Sequence, residues 1–107
     1  MYRPLLMSSQ AKVTKVIKLD VSNAESVTNV LKQVFTDYSA PPTVVVNAAG
    51  ITRDNFMLKM SVQDFESVFN VNVKGTFLIT QTICRELVEK HLPGSIVNIG
   101  KYSCTTW

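Results

Sequence analysis

The sequence has few of the residues that build metal centres or disulfide frameworks. Of its 107 residues, two are cysteine and one is histidine. Cys84 and Cys104 do not form a Cys-x-x-Cys pair, and His91 is the single imidazole. We therefore expect no metal site, and a reducing intracellular compartment is the default expectation.

Long apolar runs and clusters of one charge are also absent. No segment approaches the roughly 18–20 continuous apolar residues of a membrane span, so no membrane association through such a span is expected. The 11 Lys and Arg and 8 Asp and Glu residues are scattered along the chain. Nucleic-acid binders usually gather their cations on one face, so no nucleic-acid partner is expected either. A hydrophobic content of 46% argues against disorder, and the length indicates one small domain.

The first 19 residues contain four cations but no acidic residue before Asp20. Together with two serines, this composition weakly resembles a mitochondrial transit peptide, which favours the mitochondrial matrix over the cytoplasm. The alternative interpretation is a shortened helix that leads into a strand.

Apolar periodicity divides the chain into five segments. Segments rich in β-branched residues predict strands over 13–21, 43–47 and 95–99. Amphipathic patterns predict helices over 22–38 and 61–90. The order strand-helix-strand-helix-strand predicts an α/β layer with a parallel sheet.

Local signals support both helices. Ser22 with Glu25, and Ser61 with Asp64, have the spacing of a capping box. Gly75 lies inside the second helix, where it costs about 1 kcal/mol relative to alanine. We therefore expect close packing against a neighbour at this position.

Polar and small residues follow two of the predicted strands, at the edge where open α/β sheets bind ligands. Asp20 closes the first strand, and Asn47-Ala48-Ala49-Gly50 closes the second. A carboxylate there could accept a hydrogen bond from a nucleotide base, and small residues allow a flat ligand to approach the backbone. The alternative is that Asp20 only begins a turn and Gly50 only permits one.

Four elements then make a family resemblance visible. They are Asp20-Val21, Asn47-Ala48-Ala49-Gly50, Asn72-Val73-Lys74-Gly75-Thr76-Phe77 and Gly94-Ser95-Ile96-Val97-Asn98-Ile99. In this order and spacing they resemble the middle of a short-chain dehydrogenase/reductase. The run 49–80 is similar to 3-oxoacyl-acyl-carrier-protein reductases and 17-beta-hydroxysteroid dehydrogenases in particular.

The resemblance implies NAD or NADP as cofactor and a role for each matching residue. Asp20 would meet the adenine amino group and Val21 would flank the ring. Asn47, Ala48, Ala49 and Gly50 would form the floor under the adenosine half. Asn72 would hold a water in the catalytic proton relay, the alternative being an ordinary asparagine on a partly polar helix face.

Other features of the family are missing from the sequence. Glycine occurs only at 50, 75, 94 and 100, so no glycine-rich turn precedes the first predicted strand. No tyrosine is followed four residues later by lysine, and Lys101 stands where the family's serine is expected. The resemblance covers 13–100, and the tail 101–107 diverges. We therefore expect a single, truncated dinucleotide-binding domain over 1–107, with an incomplete Rossmann-like, doubly wound parallel sheet.

This interpretation leaves alternatives for both function and topology. The chain would be part of an NAD(P)-dependent oxidoreductase of 3-oxoacyl thioesters or hydroxysteroids, inactive alone. It could instead be a non-catalytic module that binds a full-length reductase through helix 61–90, as a homo- or hetero-oligomer, or a product without function. In the family's strand order two strands separate 13–21 from 43–47. The first strand would therefore either keep that gap or move in to pair with the second.

Overall fold

A computed structural model describes residues 14–100 of the chain. Residues 101–107, where the sequence predicts a divergent tail, and residues 1–13, which hold most of the segment resembling a transit peptide, lie outside the described residues. The elements are α1 (Ala24–Tyr38), β1 (Val44–Asn47), α2 (Val62–Phe69), a π-helical segment (Asn70–Gly75), α3 (Thr76–Glu89) and β2 (Ser95–Asn98). A short 3-10 turn at Met57–Lys59 lies in the loop between β1 and α2.

The strands form a parallel sheet in which Val44 lies opposite Ser95 and Asn47 lies opposite Asn98. Because side chains alternate along a strand, one face carries Val45 and Ile96 and the other carries residues 44, 46 and 97. Val45 is buried and Ile96 packs against the same core. This helix-covered sheet is a partial Rossmann-like α/β fold, as the sequence predicts.

The core lies between the sheet and two helices. Val27 and Leu31 come from α1, and three residues spaced every four positions come from α3: Ile79, Ile83 and Leu87. The 3.6-residue period of the helix places each set on one face, and the two faces meet above Val45. The amphipathic stripes expected from the sequence are therefore the surfaces that pack.

One predicted helix start is correct and the other is displaced by one residue. Ser61 accepts a hydrogen bond from the Asp64 backbone N–H at 3.0 Å, as its spacing predicts. The first helix is capped by Asn23, whose side chain accepts from the Ser26 N–H at 2.9 Å. Ser22 does not cap, because its hydroxyl donates to the Asp20 carboxylate instead.

The predicted first strand is the main difference between sequence and structure. Residues 14–20 form no strand, and the partner of β1 within the described residues is β2. Val16 is 94% exposed, whereas Leu19 and Val21 pack against the helical core. The segment packs against this core but pairs with no strand of residues 14–100. The alternative in which it pairs directly with β1 is therefore wrong for the described residues. Its β-branched composition alone is not sufficient for strand formation.

The predicted second helix forms, but it is interrupted. Between α2 and α3, residues 70–75 widen into the π-helical segment. The expectation of close packing at Gly75 is confirmed, since an added Cβ there would lie 2.6 Å from Val21 Cγ2. Among residues 14–100, no helix is long and apolar enough to cross a membrane.

Candidate site at the carboxyl edge of the sheet

A pocket of about 200 Å³ opens where the two strands end. Because β1 and β2 are parallel and in register, the loops that follow them leave the sheet at the same edge. The π-helical segment and the first turn of α3 form the remaining wall. The lining residues are Ala49, Gly50, Asn72, Thr76, Ile99 and Gly100. Small side chains make up half of this lining, which leaves backbone accessible to a ligand.

Asn47 supports this pocket from behind rather than lining it. Its side-chain N–H group donates to Asn98 Oδ1 at 2.9 Å and to Thr80 Oγ1 at 3.2 Å. One amide therefore joins β1, β2 and α3 at the point where both strands end. Its effect on the pocket is to hold the exit of Ala48 and Ala49 from the sheet.

Asn72 binds the loop that follows β1 through both ends of its side-chain amide. Its Oδ1 accepts from the Ile51 backbone N–H at 2.8 Å, and its Nδ2 donates to the Ile51 carbonyl at 2.9 Å. The side-chain amide thus pairs with both the N–H and the carbonyl of Ile51, as the backbone of a neighbouring strand would. Since a primary amide has two N–H donors and two acceptor positions, one of each remains beyond these two bonds.

Asn72 bonds Ile51 from within the π-helical segment. A π turn inserts an extra residue into the helix and is frequent at functional sites. The Thr76 hydroxyl donates to the Asn72 carbonyl at 3.3 Å across this turn. Both residues line the pocket.

Asp20 is held in a tight turn at the start of α1. Its Oδ1 accepts from the Ser22 hydroxyl at 2.6 Å and from the Ser22 backbone N–H at 3.0 Å. These two hydrogen bonds, with a smaller contribution from the positive charge of Lys74, lower the pKa of the Asp20 carboxyl below its ordinary value. Asp20 is exposed and is therefore an ionised acceptor at neutral pH.

Val21 links this turn to the pocket wall. It lies against Gly75, the residue that immediately precedes Thr76. The structure thus places Asp20 and Val21 beside the π-helical segment that carries Asn72.

The predicted site residues are brought to one edge of the sheet, in three positions. Ala49, Gly50 and Asn72 share the pocket lining. Asp20 and Val21 stand alongside, and Asn47 lies behind. Ala48 belongs to the same strand exit but is not among the lining residues.

Sequence reasoning missed several residues of this edge: Thr76, Thr80, Asn98, Ile99 and Gly100. Thr76 and Thr80 follow Asn72 at intervals of four, which places all three on one side of a helix. Ile99 and Gly100 leave β2 as Ala49 and Gly50 leave β1. The four-residue interval is visible in the sequence alone, and the correspondence between the two strand exits follows once the parallel register is known.

Residues 6–105 match the family model described as short chain dehydrogenase. The chain belongs to the short-chain dehydrogenase/reductase family. Its members are oxidoreductases that generally use NAD or NADP, and the match spans the whole site described above.

Similarity to individual proteins supports the assignment to this family. The (3R)-3-hydroxyacyl-CoA dehydrogenases of Canis lupus familiaris and Homo sapiens are each 50% identical over 81 residues, 76% of this chain and 31% of theirs. The 3-oxoacyl-[acyl-carrier-protein] reductase FabG of Aquifex aeolicus is 36% identical over 78% of this chain and 33% of its own. The chain spans about a third of the length of these relatives.

A crystal structure of a short-chain type dehydrogenase/reductase from Mycobacterium marinum superimposes on the chain with a TM-score of 0.73. The sequences are 30% identical, and the match covers 77% of this chain and 32% of that one. The partial Rossmann-like fold of this chain therefore matches about a third of the fold of a known family member.

The residues present fit one part of the family's dinucleotide. The small residues at the exit of β1 and the ionised Asp20 suit the adenosine end. A pyrophosphate needs backbone N–H groups from a glycine-rich turn between a strand and a helix, and residues 14–100 contain no such turn. Within that same range, no three His, Cys, Asp or Glu residues are grouped to bind a metal ion.

Proposed function

We propose that this chain forms the adenosine side of an NAD(P) site in an oxidoreductase that interconverts 3-hydroxyacyl and 3-oxoacyl thioesters. The observation that carries the proposal is the pocket at the carboxyl edge of the sheet, with Asn72 in its wall and Asp20-Val21 beside it. The substrate class is supported by the names of the relatives, which are 3-hydroxyacyl-CoA dehydrogenases and 3-oxoacyl-acyl-carrier-protein reductases. Hydroxysteroids are the second substrate class that the sequence suggests.

Asp20 and Val21 recognise the adenine ring in this proposal. Oδ1 of Asp20 is occupied by Ser22, which fixes the direction of the carboxylate. The ionised group accepts a hydrogen bond from the 6-amino group of adenine, and a charged acceptor strengthens such a bond. Val21, held against Gly75, provides an apolar surface for the ring.

The exit of β1 forms the floor under the adenosine. Ala48, Ala49 and Gly50 present small side chains, so the ligand contacts backbone. The tie from Asn47 to Asn98 and Thr80 holds this floor in place. Binding therefore needs little rearrangement of the chain, which favours affinity.

Asn72 is the residue closest to the chemistry among those that the family resemblance assigns. When bound, a nicotinamide cofactor would supply the hydride transfer that interconverts the 3-hydroxyl and 3-oxo carbons, and the accompanying proton would leave or join the substrate oxygen. Asn72 holds the loop at Ile51, and its remaining N–H and oxygen lone pair are enough to orient one water of the proton relay.

No residue of the sequence is assigned as the acid of the reaction. The family's tyrosine with lysine four residues later has no counterpart among the 107 residues. We therefore expect the chain to bind the cofactor without turnover when it is alone.

Urea unfolding of the 107-residue chain, followed by far-UV circular dichroism, tests cofactor binding. A ligand that binds the folded state stabilises it, by about 2.7 kcal/mol when its concentration is 100 times Kd. We expect NAD to raise the unfolding midpoint, and the isosteric change Asp20→Asn to reduce the shift. Glu25→Gln is the matched control on the exposed first turn of α1 and leaves the shift unchanged. An unfolding curve of the parent chain that is indifferent to saturating NAD contradicts the proposal.

A second proposal concerns partners. Apolar side chains along α2 and the following turns are exposed: Val62, Phe65, Phe69, Val73 and Phe77. The rings of Phe65 and Phe69 stack with centroids 6.3 Å apart, so they present one continuous surface. We propose that this stripe binds another reductase subunit, either a second copy or a full-length relative.

Recovery of a full-length 3-oxoacyl-acyl-carrier-protein reductase by the tagged chain tests this interaction. Phe65→Ser with Phe69→Ser should abolish recovery, and Gln63→Ser with Glu66→Ser on the same helix should preserve it. Equal recovery by both variants would show that the stripe is not the interface. The mitochondrial matrix is the compartment we propose for this encounter, on the composition of the first 19 residues.

A further inference from the structure

Gly75 lies at the junction of the π-helical segment and α3, and it is buried. Its backbone angles are φ −60° and ψ −48°, ordinary values for a right-handed helix. Any residue can adopt them, so the conformation does not require glycine. Glycine is less favourable than alanine inside a helix, which means that a contact must account for it.

That contact is with Val21. A Cβ on Gly75 would lie 2.6 Å from Val21 Cγ2, 3.0 Å from Val21 Cβ and 3.3 Å from the Val21 carbonyl oxygen. A β-branched side chain has few alternative rotamers, and a carbonyl moves only with the main chain. A methyl group at position 75 would therefore displace the backbone of Val21.

Gly94 offers a useful contrast within the same chain. A Cβ there would also meet an atom at 2.6 Å, but the atom is Leu87 Cδ1 at the end of a flexible side chain. The next nearest atom, the Thr43 carbonyl oxygen, is 3.5 Å away. Leu87 can turn aside, so the same substitution at Gly94 leaves the main chain in place.

Displacing Val21 also displaces Asp20. The Asn23 N–H donates to the Asp20 carbonyl at 3.2 Å, and the Asp20 N–H donates to Ser26 Oγ at 3.1 Å. Together with the hydrogen bonds from Ser22, these make residues 20–23 one rigid turn at the start of α1. Movement at Val21 is therefore passed to the carboxylate.

We infer that Gly75 is a positioning residue for recognition of the adenine ring, because it sets the spacing between the Asp20-Val21 turn and the pocket wall at Asn72 and Thr76. The inference rests on the proposed function, in which this edge holds the adenosine end of the cofactor. Gly75 does not touch the ligand. It acts by leaving room for Val21.

The test compares binding of AMP with binding of purine riboside 5′-monophosphate, which lacks the 6-amino group. Calorimetric titration of the 107-residue chain gives both affinities. One hydrogen bond to a charged acceptor corresponds to a preference for AMP of about tenfold. Gly75→Ala reduces this preference to about twofold or less, whereas Gly94→Ala retains it, since general destabilisation alone does not change the ratio.

A second background separates spacing from folding. Val21→Ala removes Cγ2, the atom that would lie nearest to the added Cβ, and leaves the Val21 Cβ at 3.0 Å and the carbonyl oxygen at 3.3 Å, distances that need a shift of only a few tenths of an ångström. Adding Gly75→Ala to Val21→Ala should therefore lower the AMP preference clearly less than it does in the parent. If Gly75→Ala lowers the preference equally in both backgrounds, the contact with Val21 is not the cause and the inference is wrong. It is also wrong if Gly75→Ala matches Gly94→Ala while the parent prefers AMP, an outcome that leaves the proposed function intact. If the parent binds neither nucleotide, the proposed function and this inference fail together.

Discussion

The two faces of the sheet have similar side chains but different surroundings. Val45 lies under α1 and α3 and is 8% exposed, whereas its neighbour Val46 is 55% exposed on the opposite face. Val44 and Val97 share that open face. Within residues 14–100, helices cover one side of the sheet only.

This difference shows how the fold and the site are connected. Parallel strands carry continuous apolar runs because both faces are normally covered, and β1 has such a run. The two-residue period of a strand places Asn47 on the covered face with Val45, and Asn98 on it with Ile96. The face that packs against the helices thus also carries, at the carboxyl end of the strands, the hydrogen bonds of Asn47 behind the pocket.

Valine substitutions on the two faces provide the largest expected contrast. Val45→Ala removes buried methyl groups from the core cluster that includes Ile83 and Leu87, and we expect a loss of about 2 kcal/mol in the free energy of unfolding. Val46→Ala, one residue along the same strand, should cost less than about 0.5 kcal/mol. Urea unfolding by circular dichroism measures both, and equal losses would mean that the helices do not cover the face as described.

Asn47→Ala extends the comparison to the polar end of the covered face. It removes the hydrogen bonds to Asn98 and Thr80, and we expect a loss of about 1 kcal/mol. Asn98→Ala removes one of the two bonds and serves as the graded control, with a smaller loss. A variant at position 47 as stable as the parent would contradict the role of this amide in joining β1, β2 and α3.

The smallest expected effect on stability is that of a substitution in the Asp20–Asn23 turn at the start of α1. Ser22→Ala removes the strongest hydrogen bond to the Asp20 carboxylate, so the pKa of Asp20 should rise towards its ordinary value. A carboxyl with a lowered pKa stabilises the folded state above its unfolded pKa and loses this contribution as the pH falls through its folded pKa. The variant should therefore show less acid dependence of stability below about pH 4.

An NMR titration of the Asp20 carboxyl carbon measures this shift directly. Ser26→Ala is the control, because Ser26 bonds the Asp20 backbone N–H and not the carboxylate. An unchanged titration midpoint in Ser22→Ala would show that the turn does not set the pKa.

The sequence alone predicts the parts of this fold that depend on local patterns. The apolar stripes of α1 and α3, the Ser61 cap and the strand at 44–47 all follow from periodicity and capping chemistry. The segment 14–20 has a strand composition but forms none, because strand formation requires a partner that composition does not specify.

The same limit applies to the site. Asn72, Ala49 and Gly50 are recognisable from short motifs, and the structure brings them together. Asn72 pairs with Ile51 from within a π turn, which no local pattern signals. The role of Asn98 could not be predicted, because it depends on the strand register that places Asn98 opposite Asn47, and register is a long-range property of the parallel sheet.

A ¹H–¹⁵N NMR titration of the 107-residue chain with NAD tests the central claim most directly. The account predicts that the largest shift changes fall on the backbone amides of Asp20, Val21, Gly50 and Asn72. Val44 and Val97 on the open face should stay unchanged. Changes confined to the open face, or none at saturating NAD, would contradict a cofactor site at this edge.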